Sequence, residues 1–411
     1  MGEALKLNRR SILQSMATLF SGSIVAQGMT ALALLLTARQ LGVDGYGQYA
    51  ACVALAGMTA IVFSLGLDLW LLREGGRSPG QLSKNAGSVL GIKAGLGVVW
   101  VLGFGLLSPI LRQETYPVTL MRWSVMLIWS DTLLATTLTA FKAALKNRVP
   151  AALEASADIL WCGVTVGLIG LGISQPENYL MVRVWVSAVA LLLGLGLLRR
   201  MVGLRFDAQV ARQALHRAFP FAASEFLALV AMRADVVIIG FMLGKTATGL
   251  YSPAVGLINM AFLAPMAVYM VLVPVLSSLY QNHPQQARRT AKNAVILLFG
   301  LGVLLSVGIA VGAPLMTVLL GSAFQGSVEI LRLLSLVLFF KCGTFALAAI
   351  LMAVDQQGKR ALVQGVAVAV NILGNLAVVN WLGIRGVAGM YVLTEIVLLI
   401  GYAWVVWRKN E

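Results

Sequence analysis

The amino-acid sequence predicts an all-α polytopic membrane protein: about twelve transmembrane helices in two six-helix lobes related by pseudo-two-fold symmetry along the membrane normal. Three observations carry this prediction. Of 411 residues, 59% are hydrophobic and only 11% charged, where a soluble domain carries about a quarter. The apolar residues come in runs of about twenty or more, long enough to cross ~30 Å of hydrocarbon as a helix. The loops between runs alternate between rich and poor in Lys and Arg, which orients the chain.

Apolar runs between polar breaks place spans at 12–38, 48–67, 86–110, 118–141, 150–172, 178–198, 217–243, 248–279, 293–320, 329–353, 361–381 and 386–407. Lipid offers no partner to an open backbone group, so each is expected to be helical. The first follows a basic lead (Lys6, Arg9, Arg10) but is too long for a cleavable signal and contains Gln14 and Gln27, so it reads as a retained helix. Pro150 suits the first turn of the fifth span. With the N-terminus inside, 21 of the 31 basic residues fall in cytoplasmic segments and only Arg39, Arg112, Lys245 and Arg385 fall outside. Both termini are therefore expected in the cytoplasm of a plasma (bacterial inner) membrane protein. The same bias accounts for most of the net charge of +15 without any nucleic-acid partner.

The longest break, 199–216, is basic and lies near the midpoint. It divides an N-terminal lobe (1–198) from a C-terminal lobe (217–411). A repeat supports the division. Leu41-Gly42, Gly47 and Tyr49 recur as Leu243-Gly244, Gly249 and Tyr251, all shifted by 202 residues. Halves with an even number of spans repeat in the same orientation.

Ionisable residues inside spans are expensive and therefore candidates for function. Asp131, Arg233, Asp235, Lys341 and Glu395 fall near mid-span; Lys93, Asp158 and Glu225 fall toward the cytoplasm, and Arg122, Arg183 and Arg332 toward the outside. Asp131 and Lys341 occupy equivalent depths in equivalent helices and would meet if the halves faced each other. Arg233 and Asp235, two residues apart, point to different sides of one helix. Asn371 and Asn375 share a face and read chiefly as interhelical glue. Cys52, Cys162 and Cys342 sit singly in spans as small apolar residues. His216 and His283 lie in separate basic loops, so no metal site or cofactor is expected. Walker A, HExxH and GxSxG elements are absent, and the loops are too short to house a catalytic or nucleotide domain. Transport is the default class; a non-transporting scaffold, or an enzyme acting on a lipid-linked glycan, is the alternative.

Several segments resemble a known family. Residues Ala38-Arg39-Gln40-Leu41-Gly42-Val43-Asp44-Gly45-Tyr46-Gly47-Gln48-Tyr49-Ala50 resemble the first external loop of oligosaccharide-lipid flippases of the multidrug/oligosaccharidyl-lipid/polysaccharide exporter superfamily. Ser64-Leu65-Gly66-Leu67-Asp68 with Leu72-Arg73-Glu74 is similar to the end of their second helix. Arg233-x-Asp235, Leu243-Gly244 and Gly249-Leu250-Tyr251 are similar to their seventh helix and following loop. Gln357-Gly358-Lys359-Arg360, Asn371 and Gly383-Ile384-x-Gly386-x-x-Gly389 look like their last three helices. The resemblance implies a flippase for a polyprenyl-pyrophosphate-linked glycan, working by alternating access beside polysaccharide assembly enzymes. It casts Arg233 and Lys341, then Lys93 and Arg183, as pyrophosphate contacts. Asp131, Asp235, Glu225 and Glu395 become carriers of a coupling proton or sodium ion, or cavity ion pairs. The runner-up within the superfamily is a multidrug or metabolite cation antiporter, for which the first helix offers no carboxylate cluster.

Overall fold

The computed structural model describes residues 9–408. Lys6 and Lys409, two of the basic residues assigned to the cytoplasmic side, lie outside the described residues. Helices account for nearly all described residues, and none lies in a strand. In chain order they are α1 (Arg9–Thr59), α2 (Ile61–Ser64), α3 (Leu67–Arg77), α4 (Leu82–Leu107), α5 (Val118–Ala143), α6 (Arg148–Gly170) and α7 (Pro176–Met201). Then follow α8 (Ala208–Met242), α9 (Lys245–Ala261), α10 (Leu263–Asn282), α11 (Pro284–Gly312), α12 (Leu315–Leu320), α13 (Gln325–Ala353) and α14 (Gln357–Trp407). Nine segments among the described residues are long and apolar enough to cross a membrane. Two of them contain a non-helical glycine, Gly42 in α1 and Gly383 in α14. The helix α14 holds two of the expected spans, and α1 holds the first and the start of the second, which runs on through α2. At 35 residues, α8 covers the expected span 217–243 and extends beyond it.

The structure corrects the expected outer loops. Residues 39–47 and 382–385 are not loops but helix on both sides of one glycine. Gly42 has φ 68°, ψ −176° and Gly244, between α8 and α9, has φ 86°, ψ −167°. This region is open essentially to glycine alone, so one residue breaks the helix and kinks the chain. The two glycines are the repeat-related positions.

The chain packs as two compact units, residues 1–40 with 55–226 and residues 41–54 with 227–411. In the first, Leu67, Trp70, Leu82, Val89, Phe141, Leu198 and Ala214 form a core joining α3, α4, α5, α7 and the start of α8. In the second, Leu276, Ala291, Leu298, Cys342, Ala346 and Ala349 join α10, α11 and α13, and Leu351 with Tyr402 ties α13 to α14.

Segment 41–54 belongs to the second unit because it crosses the start of α9 at backbone contact. A Cβ on Gly47 would overlap the Lys245 carbonyl oxygen, and one on Gly249 would overlap the Val43 carbonyl oxygen. Both pairs are related by the 202-residue shift, so the crossing is reciprocal. Asp44 clamps it, accepting from the Thr246 hydroxyl at 2.6 Å and pairing with Lys245 at 3.4 Å.

Of the segment 199–216, Arg199–Met201 end α7, residues 203–207 lie against α4, and α8 opens at Ala208. The Arg205 amide donates to the Ser83 carbonyl at 3.1 Å, and the Ser88 hydroxyl bonds both the amide and the carbonyl of Asp207. Asp207 caps α8 through the Gln209 and Val210 amides and pairs with Lys84 at 3.0 Å.

Candidate functional site

Seven of the eleven in-span charges, Lys93, Asp131, Asp158, Arg183, Asp235, Lys341 and Glu395, fall into three constellations, two in the first unit and one in the second. In the first, α3, α4 and α5 meet around Lys93, which has no exposed surface. Its Nζ donates to Asp68 Oδ2 at 2.7 Å and to Thr136 Oγ1 at 2.9 Å, while the Thr136 hydroxyl donates to Asp68 Oδ1 at 2.7 Å. The ring of contacts is closed. A buried ammonium is tolerable only when so paired.

The second is a cavity of about 310 Å³ between α1, α5, α6 and α7. Its polar lining is Thr30, Asp131, Thr139, Lys142, Glu154, Asp158, Arg183 and Ser187, with Trp161. Asp131 accepts from the Ser187 hydroxyl at 2.5 Å. Thr30 hydrogen-bonds Asp158, whose carboxylate also feels Arg183, Asp131 and Glu154. Arg183 lies over the Trp161 ring, 4.2 Å from its centroid, and Lys142 pairs with Glu154 at 3.4 Å. Two residues expected in different roles, Asp131 and Arg183, thus line one cavity. Sequence position puts Asp158 toward the cytoplasm and gives it no role; the opposite sign of Arg183 on the next helix is the available signal.

The third lies in the second unit. Asp235 is buried; its Oδ1 accepts from Asn375 at 2.7 Å and its Oδ2 from the Tyr251 hydroxyl at 3.0 Å. Asn375 also donates to Asn371 at 3.2 Å, and Asn371 to the Thr394 hydroxyl at 3.1 Å. The asparagine face therefore ties α14 to α8 through Asp235. Beside Thr394, Glu395 is 2% exposed and takes the Lys341 ammonium at 2.6 Å; Lys341 also stands over the Phe262 ring. Arg233 points away from Asp235, as the two-residue spacing requires, and its Nη1 reaches the Val53 carbonyl at 3.3 Å. Glu225 joins none of the three constellations; its Oε2 is buried without a hydrogen-bond partner.

Asp131 and Lys341 are equivalent in register. Leu145 and Asp355, each fourteen residues later, both have φ 58°. Matching bonds close the two turns, Lys146 amide to Phe141 carbonyl and Gln356 amide to Leu351 carbonyl. Each charge is nevertheless answered within its own unit. Among the described residues no group of three or more His, Cys, Asp or Glu is arranged to hold a metal ion.

Comparisons with known proteins complete the description. Residues 12–280 match the family described as "Polysaccharide biosynthesis protein". No curated protein matches. Among solved structures, the chain is similar to the lipid II flippase MurJ in an inward closed conformation (TM-score 0.77, 15% identity, 94% of this chain and 87% of that one). It is similar to an inward-facing multidrug resistance MATE family transporter of the MOP superfamily (0.67, 14%, 93% and 94%). A third is a mutant form of the Vibrio cholerae MATE transporter VcmN (0.64, 15%, 98% and 98%). These likenesses establish the fold.

Proposed function

We propose, from the premise that the chain belongs to the polysaccharide biosynthesis protein family, that it flips a polyprenyl-pyrophosphate-linked oligosaccharide across the plasma membrane by ion-coupled alternating access. Family and fold are those of multi-pass transporters and flippases, not enzymes. The lobes 1–198 and 217–411 would be the moving halves, with both termini cytoplasmic.

The observation that carries the reading is the set of charges held deep within apolar helices. A scaffold has no use for an ammonium, a guanidinium and several carboxylates at such depth, whereas a carrier for a diphosphate with a coupling ion needs both signs. Arg233 and Lys341 are assigned to the pyrophosphate, Arg233 through a planar fork and Lys341 as a point charge that Glu395 holds until substrate competes for it. Arg183 is a secondary contact. Lys93, enclosed by Asp68 and Thr136, is assigned to positioning α4 rather than to the substrate. Asp235, with Glu395 beside it, is the coupling candidate in the second unit; Asp131 is its counterpart in the first. Glu225 remains a candidate on its unpartnered oxygen alone. Polysaccharide assembly enzymes would supply the lipid-linked glycan and consume it.

The test is reconstitution of the purified chain in vesicles carrying a polyprenyl-pyrophosphate-linked glycan on one leaflet. Access of an impermeant glycan-cleaving reagent reports transfer. Accelerated transfer is expected, with Arg233→Gln and Lys341→Gln each slowing it about tenfold or more, the scale of a lost charge-assisted contact. Transfer no faster than in empty vesicles would sink the proposal. The cavity with three carboxylates against two cations supports a second reading, export of organic cations. Uptake of a dye cation without glycan transfer would favour it.

A further inference from the structure

The start of α8, where the helix extends beyond its expected span, has three distinct faces. Ala211, Ala214 and Ala218 are buried, the last two in the core of the first unit. Gln209, Arg212, Gln213, His216 and Arg217 are exposed and line a cavity of about 440 Å³. They fall at i, i+3, i+4, i+7 and i+8, which is one face of a helix. Leu215 and Phe219 form the third face. Both are exposed, and Phe226 continues their line into the expected span. The buried alanines and the Asp207 cap fix the direction of the two exposed faces.

Two features say what these faces meet. The first is charge. At this end of the unit Lys84 pairs with Asp207, Lys142 pairs with Glu154, and Lys146 donates to the Met201 carbonyl. Asp207 is the only carboxylate between residues 199 and 217, and Lys84 takes it. Among the described residues no carboxylate lines the cavity of Arg212 and Arg217. Two guanidinium groups, an imidazole and two amides therefore stand ready for an anion, and a guanidinium fork suits phosphate oxygens. The second is adjacency. Arg212 lies three residues before Leu215 and seven before Phe219, so the basic face borders the apolar one. A basic face beside an exposed apolar one, on a helix that runs on into hydrocarbon, belongs at the headgroup boundary. A free anion would answer the first face and leave the second bare. A phosphate carrying acyl chains answers both.

We propose that this stripe binds an anionic glycerophospholipid of the surrounding bilayer. Arg212 and Arg217 take its phosphate, while Gln209, Gln213 and His216 donate to the remaining headgroup oxygens. One acyl chain runs along Leu215, Phe219 and Phe226. The bound lipid sets the depth at which α8 enters the hydrocarbon. Exposed charges are screened and each contributes little. The site therefore suits a ligand at bilayer abundance rather than a scarce polyprenyl-linked one. The inference goes beyond the transport reading and does not rest on it, since it is measured by binding alone.

The experiment titrates the full chain, purified in a neutral detergent, with phosphatidylglycerol or phosphatidylcholine of the same acyl chains. Native mass spectrometry counts the lipids bound to the wild type and to a variant mixed with it. Phosphatidylglycerol is expected to fill a first site about tenfold more tightly than phosphatidylcholine, the scale set by two cations at an anionic surface. Arg212→Gln combined with Arg217→Gln should abolish that preference, and the same pair changed to Lys should keep most of it. Phe219→Ser should weaken phosphatidylglycerol severalfold. All three positions are exposed, and an unchanged thermal midpoint shows that the variants fold. Should the glutamine pair fail to fold, Arg212→Gln alone is compared. Equal phosphatidylglycerol affinity in the wild type and the glutamine variant would overturn the proposal. So would displacement by inorganic phosphate with Phe219→Ser silent, the mark of a bare anion site. Farnesyl diphosphate held more tightly than phosphatidylglycerol at the same residues would give the stripe to the flipped lipid and overturn it as well.

Discussion

The helix pair α5–α7 in the first unit and the pair α13–α14 in the second share matching turns and register but carry opposite charge. Asp131 and Lys341 stand fourteen residues before matching positive-φ turns. Their partners also correspond: Ser187 is eleven residues into α7, and Glu395 lies eleven residues beyond Ile384, where α14 resumes after Gly383. In one unit a carboxylate is answered by a hydroxyl; in the other an ammonium is answered by a carboxylate. The two turns match in backbone and differ in the charge they set at mid-helix.

The largest expected effect tests that difference directly. Glu395 is 2% exposed and the Lys341 side chain 25%, so Glu395→Gln strands an ammonium among apolar helices. Breaking such a pair costs about 3–5 kcal/mol. Ser187→Ala removes one hydrogen bond from a carboxylate lining a cavity, worth about 1–2 kcal/mol. Thermal unfolding of the purified variants should separate them by many degrees, and Lys341→Met added to Glu395→Gln should recover much of the loss. Equal midpoints for the two single variants would mean that the units handle charge alike, and the contrast would fall.

The next effect tests where the copies remain alike. Gly47→Ala and Gly249→Ala each drive a methyl into a backbone carbonyl that side-chain motion cannot relieve. Each should lose about 1–3 kcal/mol, and by similar amounts because the contacts are reciprocal. Gly76→Ala in α3, where a Cβ would meet nothing within 4 Å, is the control and should gain up to about 1 kcal/mol. A large loss for one crossing glycine and none for the other would show that the symmetry is geometric and not energetic.

Much of this comparison is legible in the sequence, and what is not has a physical cause. The apolar runs locate the spans because lipid leaves the backbone no other solution than helix. The 202-residue repeat finds Gly42 and Gly244 because only glycine takes their backbone conformation. Asn371 and Asn375 bond each other because one helix turn puts them side by side. Periodicity is silent on contacts between helices. Nothing in the spacing tells that Asp68, near a span end, answers Lys93, or that Asp158 shares a cavity with Arg183. Nor does it separate a loop from a single-residue kink, since the polar residues around Gly42 and Gly383 read as loop in either case.

The smallest effect concerns a passage that occurs once, from α7 into α8. Asp207 is half-buried at the surface, and its carboxyl titrates below the ordinary aspartate value of 3.8. The first cause is the hydrogen bond from Lys84, with the Val210 and Gln209 amides adding to it. A lowered folded value means that the ionised form holds the start of α8 against α4. That contribution is complete above the ordinary value and is lost as pH falls through the lower, folded one. Amide exchange of Gln209 and Val210, corrected for its intrinsic pH dependence, should accelerate only in that acid window. Asp207→Asn should flatten the response while leaving exchange in α13 and α14 untouched, because an exposed pair is worth little beyond its own turn. Acid-induced exchange appearing in both units together would place the sensitivity in the buried carboxylates instead, and would erase the distinction between a passage present once and helices present twice.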